Sequence, residues 1–143
     1  MSGDALPYQY LVLRCVPRVD REEFVNIGVV LYCQRAEFLG CASHLDRDRL
    51  RTLAPGLDLG GVEQALLAID AECRGDASAG QAAAPGLGLR FGHISSPRST
   101  VVQPGPTHGG RTTPACPEPE MVLQHLLDTL VKAPVADRPD RSG

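Results

Sequence analysis

An α+β fold, an antiparallel sheet with three helices packed on one face, is what the order of hydrophobic periods in this chain predicts. Period-two alternation comes first, over residues 8–43, and helical spacing follows over residues 46–75. A short strand pair and a last helical stripe close the chain, and the strict strand–helix alternation of a doubly wound parallel sheet is missing. With 143 residues and 43% hydrophobic content, one core and one domain are expected. That domain is placed at 8–133, with disordered termini at 1–7 and 134–143 and a flexible, small-residue internal loop at 76–88.

The first strand is Tyr8 to Val16, with Leu11, Leu13 and Cys15 on one face and Tyr8, Tyr10, Val12, Arg14 and Val16 on the other. Pro17–Glu22 is a polar connection of hairpin length. The second strand is Glu23 to Cys33, in which Val25, Ile27, Val29, Leu31 and Cys33 share the core face. Phe24, Asn26, Gly28, Val30 and Tyr32 share the opposite face. Glycine and asparagine are disfavoured inside strands, and such a glycine usually marks a bulge or a close approach by backbone or ligand. A hairpin register that keeps the apolar faces together opposes Leu13 to Ile27, Cys15 to Val25 and Arg14 to Asn26.

Glu37 to Ser43 completes a meander. Ser43 or Asp46 caps a two-turn helix through Leu53, and Asp58 caps a second one on which Leu59, Val62, Leu66, Ile69 and Cys73 recur. Gly75 ends it. Leu89–Ile94 and Ser99–Gln103 read as short strands around a Ser95–Arg98 turn, and Pro104–Arg111 as a loop. Pro117 and Glu118 open the last helix, whose stripe is Leu123, Leu126, Leu127, Leu130 and Val131.

Composition removes several function classes. A net charge of −3 gives no global attraction for nucleic acid or anionic membranes, and with 4% aromatics and no tryptophan there is little for bases to stack on. No apolar run is long enough to span a bilayer, and the first residues lack a signal-peptide pattern, so a cytoplasmic location is expected. The five cysteines contain no C-x-x-C pair, and His44, His93 and His125 share no ligand spacing, so neither metal nor cofactor is expected.

Two constellations remain as candidates for chemistry. Arg14, Asn26 and Gly28, with the tyrosines, lie on the outer sheet face, where a guanidinium beside an amide can hold a carboxylate, a phosphate or a partner's backbone. The plainer reading is a solvated or helix-covered face with Arg14 paired to Glu22, Glu23 or another acid. Ser96 to Thr100, with Gln103, Thr107, His108 and Arg111, is the second, a run of hydroxyls and cations able to nest an anion. It equally suits a polar connection whose hydroxyls satisfy local turns. No nucleophile–base pair is recognisable, so catalytic residues stay unassigned.

The blocks Leu13-Arg14-Cys15-Val16-Pro17, Glu23-Phe24-Val25-Asn26-Ile27-Gly28-Val29 and Ser96-Pro97-Arg98-Ser99-Thr100 resemble those of an uncharacterised bacterial family of domains of unknown function. What the resemblance implies is a small cytoplasmic protein associated with kinases of the HipA-like toxin type. Pro114–Glu118 departs from the acidic stretch of that pattern. The function expected is an accessory or protein-binding module, partnering a HipA-like kinase or another protein. The alternative is a small-anion or nucleotide-binding protein or enzyme using Arg14, Asn26, Arg98, Ser99 and His108. In that case the segment after Ser95 folds back so that Arg98 approaches Arg14.

Overall fold

Twelve residues of alternating pattern make the first strand the axis of the molecule: β1, Pro7–Arg18, pairs antiparallel on one side with β2, Glu23–Cys33. In the computed structural model the residues described are 4–18, 23–76, 86–97 and 100–132. The other elements are β3 (Phe38–Ser43), α1 (Arg47–Leu53), α2 (Leu59–Arg74), α3 (Leu87–Ser95), β4 (Val102–Pro104), β5 (His108–Arg111) and α4 (Pro119–Leu126). α4 runs on into a π turn, Leu127–Val131. The sheet order is β3-β2-β1-β4, with β5 pairing the other half of β1.

Gly28 is indeed the site of a bulge. Arg14 opposes Asn26 and Cys15 opposes Val25 as expected, but beyond the irregularity Leu13 opposes Gly28 rather than Ile27, and Val12 opposes Val29. One extra residue in β2 turns every later side chain to the other side of the sheet. Val25, Ile27 and Val30 therefore pack into one core with Leu11, Leu13 and Cys15, while Val29, Leu31 and Cys33 build a second core on the opposite face. The single apolar face expected for β2 is corrected to two half-strands facing opposite ways. Tyr32 moves with its half, stacking on Phe91 at 5.5 Å and so leaving the face of Tyr8 and Tyr10.

Each core needs its own cover, so helices lie on both faces, not on one. α1, α2 and α3 supply Leu50, Val62, Leu66, Ile69, Phe91 and Ile94 to the first core, and α4 with its π turn supplies Val122, Leu123, Leu127 and Val131 to the second. Among the described residues there are four helices rather than three, because Leu87, Phe91 and Ile94 recur at helical spacing where a strand was expected. Packing outweighs the poor helix propensity of Gly88 and Gly92. A contact from His93 Nδ1 to the buried Glu72 carboxylate ties α3 to α2.

Capping follows the side chains. Asp46 and Asp58 accept from Arg49 N–H and Gly61 N–H, each at 3.1 Å, and Gly75 ends α2 at a φ of 67°. β5 forms where a loop was expected. Its glycines have little strand propensity, but a side chain at Gly110 would meet the Tyr8 ring at 2.6 Å, so glycine lets this segment pair with the start of β1 without displacing that ring. The last helix begins at Pro119, with Glu118 as its N-cap residue. The expected connection at 19–22, most of the 76–88 loop and the tail from 133 onward lie outside the described residues.

Candidate functional site

Three adjacent strands put one polar residue each on the α4 side of the sheet: Asn26 on β2, Arg14 on β1 and Gln103 on β4 form a single cross-strand row. Directly opposed residues on neighbouring strands are within side-chain reach. This row joins the two constellations of the sequence, since the segment after α3 returns beside β1, with Val16 N–H donating to the Val101 carbonyl at 2.7 Å.

The guanidinium of Arg14 is held from two sides. Its central carbon lies 4.2 Å from the centroid of the Phe24 ring, a cation–π contact. From the β4 side the backbone at Gly105 comes so near that a side chain there would meet the Arg14 Cζ and Nε at 3.1 Å. Glycine at 105 therefore lets the guanidinium sit there without being displaced. The Arg14 Nε is buried and has no hydrogen-bond partner, and Arg14 makes no ion pair among the described residues. Of the acids expected to neutralise it, Glu23 makes no ion pair with Arg14 and Glu22 lies outside the described residues.

The flanking amides are part-used. Asn26 Nδ2 donates to the Leu130 carbonyl at 3.1 Å, joining β2 to the end of the π turn, and Gln103 Nε2 donates to the Thr100 carbonyl at 2.9 Å. Each amide is thus oriented by its donor end, and its carbonyl oxygen carries no hydrogen bond among the described residues. Phe24, Val101 and Leu130 stay 46%, 38% and 38% exposed around the row, an apolar rim about a charged centre. Phe24 also borders an open groove of about 990 Å³ between β2 and α1, which Glu23, Asp46, Arg49 and Thr52 help to line.

The other expected site residues divide. His108 is exposed, opposite Tyr10, and its ring lies 5.2 Å from the Tyr10 ring. Four residues along β1 separate Tyr10 from Arg14, about 13 Å at strand rise, so His108 shares the face but not the immediate surroundings of Arg14. Gly28 is buried in the bulge, where a side chain would meet the Ala42 carbonyl at 3.0 Å, so its place there is structural. Arg98 and Ser99 lie outside the described residues. Phe24 and Gly105 were not singled out from the sequence. An aromatic two residues before Asn26 on the polar face was the available signal for the first, and nothing local marks the second.

Burial pushes the Cys41 thiol up to about 12 and raises those of Cys15 and Cys73, so these cysteines stay protonated and are poor nucleophiles. Among the described residues no group of His, Cys, Asp and Glu is placed to hold a metal, and no helix is long and apolar enough to cross a membrane. A family model described as a protein of unknown function, DUF3037, matches residues 10–131. No curated protein and no solved structure matches the chain.

Proposed function

The chain belongs to the DUF3037 family, and we propose that it is a binding module that seats an acidic group of a protein partner against Arg14. The observation that carries this reading is the state of that arginine: stacked on Phe24, without an ion pair among the described residues, and with its Nε buried and unsatisfied. A buried donor without an acceptor is destabilising by about 1–3 kcal/mol, which an incoming carboxylate would relieve. A planar fork between two oriented amides suits that ligand. The exposed Phe24, Val101 and Leu130 supply the apolar rim a protein partner would cover.

A HipA-like kinase is the first partner to test, and calorimetry with purified components is the test. Arg14→Ala should weaken the complex by about thirtyfold or more, as expected of an arginine anchor at about 2 kcal/mol. Arg14→Lys should recover only part of this, because it keeps the charge and loses the fork. Binding that is unchanged in Arg14→Ala would dismiss the site.

A second reading is a pocket for a free small anion or nucleotide, and the return of residues 101–105 alongside Arg14 is what favours it. Titration with inorganic phosphate, acetate and ATP separates the two. Saturable heat that disappears in Arg14→Ala would favour the free ligand, and silence beside tight kinase binding would favour the module.

A further inference from the structure

Half of β2 has no strand on its outer side among the described residues. β3 pairs with β2 only from Gly28 onward, and past Ser43 the chain adds one bond, from His44 N–H to the Ile27 carbonyl at 2.9 Å, before it turns into α1. The phase of the sheet fixes which groups this leaves open. Gly105 N–H donates to the Val12 carbonyl at 2.8 Å and Val16 N–H to the Val101 carbonyl at 2.7 Å, so Val12, Arg14 and Val16 address β4. Main-chain groups alternate sides along an antiparallel strand, so Cys15 and its partner Val25 address each other while Phe24 and Asn26 address the outside. Among the described residues these outward N–H and C=O groups have no partner.

The space beside them is walled. It is the groove of about 990 Å³ between β2 and α1, with Phe24 on one side and Thr52 and Leu53 on the other. Its charge differs between the two faces of the sheet. On the α1 side the carboxylates of Glu23, Asp46 and Asp48 line it against one guanidinium, Arg49, and the exposed contact of Arg51 with Asp48, at 3.8 Å, offsets little. On the α4 side the Arg14 guanidinium lies over Phe24 and so reaches from β1 toward this edge.

We propose that the partner's acidic group reaches Arg14 on an extended segment that joins the sheet antiparallel along Phe24 to Asn26, in line with β3. This rests on Arg14 being the seat of that group. A strand supplies main-chain donors and acceptors at the spacing the open edge presents, and its alternating side chains then give specificity. The residue facing Asn26 points to the Arg14 side and is the acid. Its neighbour in the chain points to the α1 side, where the carboxylates select lysine or arginine. No edge strand among the described residues carries that pair, since β3 and β4 are uncharged and β5 has His108 and Arg111 without an acid. A second copy pairing edge to edge therefore does not satisfy the site.

Titration of the isotope-labelled full chain with a blocked peptide, Thr-Val-Glu-Lys-Val-Thr, tests this through the amide shifts of Phe24 and Asn26. The shifts should saturate. N-methylation of the peptide's glutamate removes the N–H aimed at β2 and should raise Kd at least about tenfold, whereas N-methylation of its lysine, whose N–H points away, should change Kd by less than about twofold. Exchanging the lysine for glutamate should raise Kd about fivefold. Equal Kd for the two methylated peptides, or no shift at the highest soluble concentration, would overturn strand addition. Asp137-Arg138 is an acid–base pair outside the described residues, so the Asn26 amide is also compared in Asp137→Ala without peptide. A shift there, or one that follows protein concentration, would give the edge to this chain itself and overturn the proposal. Arg14 is judged separately: peptide binding unchanged in Arg14→Ala dismisses the seat and the proposal with it, whereas binding lost in Arg14→Ala with equal Kd for both methylated peptides keeps the seat and removes the strand.

Discussion

The two faces of the sheet are covered to different degrees. Leu11, Leu13, Cys15, Ile27 and Val30 are completely buried under α1, α2 and α3. On the other face α4 and its π turn lie over β2 and β3 and bury Val29, Leu31 and Cys33, but the row of Asn26, Arg14 and Gln103 keeps partial exposure. What separates the faces is not hydrophobic content, since β2 contributes aliphatic residues to both. The difference teaches that a sheet face keeps polar residues partly open to solvent where its covering helix stops short. Leu130 marks that stop, and Asn26 binds its carbonyl.

Variants on each face should separate stability from binding, and the largest effect belongs to the sealed one. Ile27→Ala removes a fully buried side chain beside the bulge and should destabilise by about 3–4 kcal/mol in urea unfolding. A cost under about 1 kcal/mol would mean that this core can collapse around the gap and that the faces differ less than their burial indicates. Gly28→Val probes the bulge that creates both faces. Its Cβ would lie 3.0 Å from the Ala42 carbonyl and 3.3 Å from a Leu13 methyl, and about 2–3 kcal/mol should be lost in the same assay.

On the open face the expected effects shrink. Asn26→Ala removes the bond to Leu130 and should cost about 1 kcal/mol, with faster amide exchange in the π turn reporting the loosened end of α4. Arg14→Met should change stability by no more than about 0.5 kcal/mol, or raise it, because it deletes a buried unsatisfied donor while keeping a long apolar stem. Arg14→Met unfolding more than about 2 kcal/mol more easily would mean that the arginine is part of the scaffold, and the contrast between the faces would fail.

Much of this was legible in the chain itself. The first three strands, the caps at Asp46 and Asp58, the αL glycine at Gly75 and the stripe of the last helix all follow from local patterns, because a cap or a periodic face is decided within a few residues. Arg14 beside Asn26 was legible too, since the short connection between two strands narrows their register. The expectation of a bulge at Gly28 followed from the glycine. Its consequence for Val29, Leu31 and Cys33 did not, because the alternation before and after the bulge looks continuous in one dimension.

Sequence by itself therefore determined the first three strands, α1, α2 and the last helix, with most of their ends, and it marked the residues that packing alone would not choose. Tertiary structure decided the rest. It assigned the two halves of β2 to opposite cores, made Leu87–Ser95 a helix against Tyr32, and drew His108–Arg111 into the sheet because β1 left half of one edge open. It also brought Phe24 and Gly105 to Arg14. The physical reason is range: periodicity and capping act between near neighbours in the chain, whereas the sense of a strand face and the company of a side chain depend on partners many residues away.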